Sequence, residues 1–135
     1  MSEIAQGIHL IMIPFIFGKV NVYVIKGEKL VLVDTGSGTD SAMDLISRSI
    51  EDMGYSLRDV SHIINTHAHP DHIGGNYAIK KVSNAEVSIH KVETEINKNR
   101  YAYKRDYPEV PYEECMQIDN VLDDGNVLEL DSIKL

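Results

Sequence analysis

Thr66-His67-Ala68-His69-Pro70-Asp71-His72-Ile73-Gly74-Gly75 is the stretch on which the reading of this chain turns. Three imidazoles and one carboxylate, His67, His69, His72 and Asp71, crowd together here. They offer the nitrogen and oxygen donors that zinc and other first-row metals prefer. On a loop, side chains this close in sequence diverge enough to hold two ions. The plain alternative is a solvated loop that happens to be rich in histidine. The ordering His-x-His-x-Asp-His, directly after an apolar strand, speaks against it.

Outward from that loop, His62 to Asn65 reads as a short apolar strand running into the cluster. Gly74-Gly75 leads into a helix around Asn76 to Lys81, so the cluster sits in a strand-to-helix loop. Upstream, Ile8 to Ile13 is an apolar run stopped by Pro14. Val20 to Ile25 is rich in β-branched residues, and Leu30 to Val33 follows the turn-like Lys26-Gly27-Glu28-Lys29, giving a meander that ends at Asp34. After Gly36-Ser37-Gly38, the spacing of Met43, Ile46, Ile50 and Met53 predicts an amphipathic helix. Ser41 to Asp44 reads as its capping-box start and Gly54 as its stop. Downstream, Ala85 to His90 reads as a strand and Lys91 to Arg100 as a polar helix, followed by an irregular Tyr101 to Tyr112 stretch. Alternating strand and helix signals predict an α/β layered sheet. With no repeat or linker in the composition, residues 1–135 are read as one domain.

Composition narrows the function classes. Thirteen basic against 21 acidic residues leave a net charge of −8, which disfavours nucleic acid and anionic membranes as partners. No stretch reaches the roughly 20 apolar residues of a membrane span. The start, Met1 to Gly7, lacks the basic and apolar regions of a secretory signal, so a cytoplasmic location is expected. The single Cys115 forms no intrachain disulfide and reads as a small buried apolar residue.

Thr66 to Gly75 resembles the signature Thr-His-x-His-x-Asp-His-x-Gly-Gly of the metallo-β-lactamase superfamily, matched in full. Asn21-Val22-Tyr23-Val24-Ile25 is similar to that family's second strand, and Leu32-Val33-Asp34-Thr35-Gly36 to its strand-end aspartate turn. Asp123-Asp124-Gly125-Asn126-Val127-Leu128 is similar to the segment preceding its next ligand histidine. The resemblance implies the amino-terminal half of an αββα sandwich, a mixed sheet with helices on one face. It implies that His67 and His69 hold one metal while Asp71 and His72 hold a second. Asp71 would also act catalytically by orienting the attacking water. Asp34 would stand behind the ligands, accepting the distal N–H of a ligand histidine and fixing its tautomer. Thr66 and the Gly74-Gly75 pair would support the loop. The cofactor so implied is zinc, one or two ions, with iron or manganese as alternatives. The reaction so implied is attack by metal-activated water on a small ester, thioester or lactone, as in glyoxalase II-like enzymes.

The chain also departs from that family, which completes its site with a histidine, an aspartate or cysteine, and a final histidine from its second half. No histidine follows His90 here, so each metal would have two protein ligands where catalytic zinc usually has three. The 135-residue chain is therefore read as truncated before the second half of the fold and as inactive by itself, the enzyme being its parent. The sheet face that would meet the missing half should be apolar and exposed, and a homodimer through that face is expected. Two other readings stand beside the hydrolase. One is a catalytically incomplete fragment or assembly module that keeps the shape of the fold. The other is a persulfide dioxygenase-like enzyme with a single iron. His9 and His62 read as structural residues within strands, while His90, ending a strand, and Tyr101, Tyr103, Tyr107 and Tyr112 are left without a role.

Overall fold

The computed structural model describes residues 1–97, 108–130 and 132–135. Seven strands form one sheet in sequence order: β1 (Ser2–Ala5), β2 (Ile8–Phe15), β3 (Gly18–Lys26), β4 (Leu30–Val33), β5 (Val60–Ile64), β6 (Glu86–His90) and β7 (Asn120–Leu122). Strands β1 to β4 pair antiparallel, and β4 to β7 pair parallel. The parallel connections run through α1 (Asp40–Asp52), α2 (Pro70–Ile73), α3 (Asn76–Ser83), α4 (Lys91–Asn97) and α5 (Tyr112–Cys115). This is the α/β sheet that the alternating signals predict, and it is mixed, as the family resemblance implies.

Alternation decides which sheet face is covered. Val20, Val22 and Val24, at every second position of β3, are buried, as are Ile11 and Ile13 of β2. Of these, Ile11, Ile13, Val22 and Val24 meet Ala42, Ile46 and Ile50 of α1 and Ile79 of α3 in one cluster with Leu30, Leu32, Ile63 and Val87. The spacing of Ala42, Ile46 and Ile50 puts all three on one stripe of α1. Ile46 is wholly buried, and truncating it to alanine should cost about 2–5 kcal/mol through lost transfer energy and the cavity left behind. On the other face the cross-strand pairs Leu10↔Tyr23 and Tyr23↔Val33 stay half-buried, and Met12 is exposed. A small second sheet, β8 (Glu129–Leu130) with β9 (Ile133–Lys134), lies beyond β7 in sequence. It packs close to the meander: a side chain at Gly27 would run into Ile133.

Boundaries differ from the sequence reading at α1 and β2. Helix α1 begins at Asp40 rather than Ser41, because the Thr39 hydroxyl accepts the Ala42 N–H and serves as the N-cap. Strand β2 continues through Pro14 to Phe15. Strand β1 reaches only as far as Leu10, so Pro14 lies where one edge of β2 is open and a missing N–H is tolerated. The polar helix is described to Asn97; its expected remainder, together with Tyr101, Tyr103 and Tyr107, lies outside the described residues. Among the described residues no helix is long and apolar enough to cross a membrane.

Parallel pairing brings the carboxyl ends of β4, β5, β6 and β7 to one edge. Asp34, Thr66 with the histidine loop, His90 and Asp123 all lie at or just after those ends. Loops at this edge carry function in open α/β sheets.

Candidate metal centre

Strand β4 ends at Val33, and Asp34 then turns the chain with a left-handed backbone, φ 63. Aspartate is one of the few side chains that tolerate this region. The Asp34 N–H donates to the Ile64 carbonyl at 2.9 Å, tying the turn to β5. Its side chain, only 3% exposed, lies under the histidine loop. Oδ1 accepts the Thr66 N–H at 2.9 Å, and Oδ2 lies 2.7 Å from both Thr66 Oγ1 and His72 Nδ1.

Proton bookkeeping follows from these contacts. A carboxylate only accepts, so Thr66 Oγ1 and His72 Nδ1 are both donors to Asp34. Having given its proton to Asp34, Thr66 Oγ1 must accept from His67 Nδ1, which lies 2.9 Å away. His67 and His72 therefore carry their protons on Nδ1 and keep the Nε2 lone pairs for a ligand. The rings converge: His67 lies 4.0 Å from His72 and 4.5 Å from His69, centroid to centroid. Asp71 joins them, with Oδ2 3.7 Å from His72 Nε2.

The charges around the rings pull in opposite directions. Burial, reinforced by the neighbouring His72 and His69, lowers the His67 pKa against the pull of Asp34 and Glu93. Burial would also lower that of His72, but the hydrogen bond and charge of Asp34, with Asp71, outweigh it and raise the value. Imidazoles facing one another beside two carboxylates form a donor set suited to a divalent cation.

A buried polar layer holds the loop from below. The Thr35 N–H donates to the His72 carbonyl at 2.8 Å. Asn65 and Asn76 exchange amide hydrogen bonds at 2.7 and 3.2 Å, and Asn76 also donates to the Cys115 carbonyl and accepts from Thr35 Oγ1. Glycine is needed at two of the closest approaches: a Cβ at Gly74 would collide with the Ser37 carbonyl, and one at Gly75 with that of Thr35. From farther along the chain, Glu93 Oε2 accepts the Ala68 N–H at 2.9 Å, and the Tyr112 hydroxyl lies 3.4 Å from the Ala68 carbonyl.

His67, His69, Asp71, His72 and Asp34 thus stand together, while His9 and His62 lie apart, in β2 and β5. His62 Nε2 is 3.4 Å from Glu86, and His9 Nε2, buried without a hydrogen bond, is 4.0 Å from Glu3. His90 does not join the cluster through any contact described; it forms a separate group with Asp123 and Asp124, donor atoms within 4.8 Å. That group is poorly suited to a metal. His90 Nδ1 accepts the Val92 N–H, so the ring proton is on Nε2, where it donates to Asp124 at 2.8 Å. Lys91 holds Asp123 at 2.6 Å. Sequence reasoning missed Glu93, Asn65 and Asn76. Only the polar character of Asn65, within an apolar strand pattern, offered a signal.

Residues 16–133 match the metallo-beta-lactamase superfamily. The chain is 36% identical over 61 residues to a probable metallo-hydrolase of Bacillus subtilis (YqjP), covering 45% of this chain and 19% of that protein. It is 41% identical over 56 residues to an atrochrysone carboxyl ACP thioesterase of Cryptosporiopsis sp., covering 41% of this chain and 16% of that protein. A metallo-beta-lactamase family protein from Thermus thermophilus shares the fold, with a TM-score of 0.74 at 24% identity, over 98% of this chain and 51% of that one. The chain spans about half the length of that structure and less of the curated relatives.

Proposed function

Because the chain belongs to the metallo-beta-lactamase superfamily, we propose that it carries half of the active site of a metal-dependent hydrolase acting on a small thioester, ester or lactone. The observation that carries this reading is the convergence of His67, His69 and His72, with two Nε2 lone pairs set by one buried aspartate. His67 and His69 would hold one ion, and Asp71 with His72 a second. Zinc fits this nitrogen-rich set, and iron or manganese would be held by the same atoms. Such an ion supplies Lewis acidity, polarising a carbonyl and making water acidic enough to deprotonate near neutral pH.

The protein's own residues do the rest. Asp34 and Thr66 keep the His67 and His72 protons on Nδ1, which fixes the orientation of both rings and turns each Nε2 toward the ion. Asp71, in the first turn of α2, would accept a hydrogen bond from the attacking water and orient it. Gly74 and Gly75 let the backbone of Thr35 and Ser37 approach the histidine loop closely. The thioesterase among the relatives supports a thioester or ester as substrate class. Four protein donors serve two ions sparsely, so full activity belongs to a protein in which further ligands complete the site.

The test is turnover of p-nitrophenyl acetate, an aliphatic thioester and γ-butyrolactone by the zinc-loaded chain, with imidazole supplied as an exogenous ligand. Weak zinc-dependent hydrolysis that requires the added imidazole and disappears in His67→Ala/His69→Ala is expected. Bound zinc without zinc-dependent turnover would favour an assembly module that keeps the fold.

A further inference from the structure

Between the two histidines of His67-Ala68-His69 lies a peptide that the motif itself does not hold. Ala68 is wholly buried among Ile73, Ile89, Val110 and Cys115. Its side chain is thus held in that cluster while the rings of its two neighbours, His67 and His69, meet edge-on with centroids 4.5 Å apart. The orientation of both rings therefore depends on how the plane of the Ala68 peptide is set. Its N–H donates to Glu93 Oε2 at 2.9 Å. Glu93 lies in α4, which begins directly after the last residue of β6, so the contact reaches across 25 residues from a neighbouring strand end.

We infer that Glu93 is a positioning residue of the metal centre, fixing the Ala68 peptide so that the His67 and His69 rings stand at ligand spacing. This rests on the reading of those two histidines as ligands. The hydrogen bond removes an otherwise unpaired, part-buried N–H, and an acceptor that is charged makes it stronger and more directional than a neutral one. The carboxylate also brings negative charge to a group of imidazoles that a cation would join, so its loss weakens binding beyond the loss of geometry.

Two readouts separate positioning from simple support of the fold. In the metal-free chain, NMR should show contacts between the His67 and His69 rings and slow exchange of the Ala68 amide. Glu93→Ala should lose both while the contacts among Val22, Leu32 and Ile46 persist. Glu93→Gln, whose amide oxygen still accepts the N–H, should keep them. In competition with a chelator, Glu93→Ala should bind zinc about 10- to 100-fold more weakly, with Glu93→Gln in between and Glu95→Ala, exposed on the same helix, unchanged. Glu93→Ala with ring contacts, amide protection and affinity all intact would overturn the inference. If the wild-type chain binds no zinc, the ligand reading falls, and the NMR arm still decides whether Glu93 sets the rings.

Discussion

Asp34 accepts the Nδ1 proton of His72 at 2.7 Å across 38 residues of sequence, from a backbone held in the left-handed region. A turn conformation that few residues adopt thus places the carboxylate that sets the tautomer of a histidine in the candidate centre.

Asp34→Asn tolerates the same backbone and keeps nearly the same shape, but it loses the charge and one of the acceptor oxygens. Zinc affinity should fall about 10- to 100-fold with little change in folding stability. Asp34→Ala should lose affinity similarly and also destabilise the chain by about 1–3 kcal/mol, because the Thr66 N–H is left without its acceptor. Chelator competition and urea unfolding of the three proteins measure the two effects separately.

Asn76 is 1% exposed and engages Asn65, Thr35 and the Cys115 carbonyl together. Asn76→Ala strands these partners and should cost about 3 kcal/mol. Asn65→Ala/Asn76→Ala should cost less than the sum of the single changes, since the two share one network. Additive losses in urea unfolding would show that the two amides act independently.

Lys80 and the Val87 N–H both donate to Asp119 Oδ2, at 2.6 and 2.8 Å. Burial alone would raise the Asp119 pKa, but these contacts outweigh it and lower the value. A folded-state pKa below the unfolded one, about 4, contributes stability that is present above that pH and is lost as pH falls through the folded value. The site is partly exposed, so the contribution is at most about 1 kcal/mol after screening. The stability gap between wild type and Asp119→Asn should be open at pH 7 and narrow progressively below pH ~4. A gap that widens on acidification would reverse the sign.

Cys115 is wholly buried, and burial pushes its thiol up to about 11. The thiol is therefore neutral at pH 8 and shielded, and alkylation by iodoacetamide should be negligible in the native chain. Its rate should rise with urea in step with unfolding. Rapid native labelling would place the thiol at the surface.

Much of this architecture is legible in the sequence because its signals are local. The histidine loop declares its chemistry within a few residues, and the α1 stripe repeats at helical spacing. The start of α1 is ambiguous in the sequence because Thr39 and Ser41 are both capable caps, and only the bond to the Ala42 N–H distinguishes them. Strands β1, β7, β8 and β9 are too short for a periodic pattern and exist through pairing with distant partners. Glu93 is invisible for a related reason. On a polar helix one carboxylate looks like another until the parallel pairing of β5 and β6 brings its helix against Ala68.

The most direct measurement is the metal content of the purified chain by inductively coupled plasma mass spectrometry, beside His67→Ala/His69→Ala prepared identically in zinc-replete medium. Near-stoichiometric zinc in the wild type that disappears in the double variant is expected. A wild-type chain without bound metal, or a double variant that retains it, would contradict the assignment of His67 and His69 as ligands.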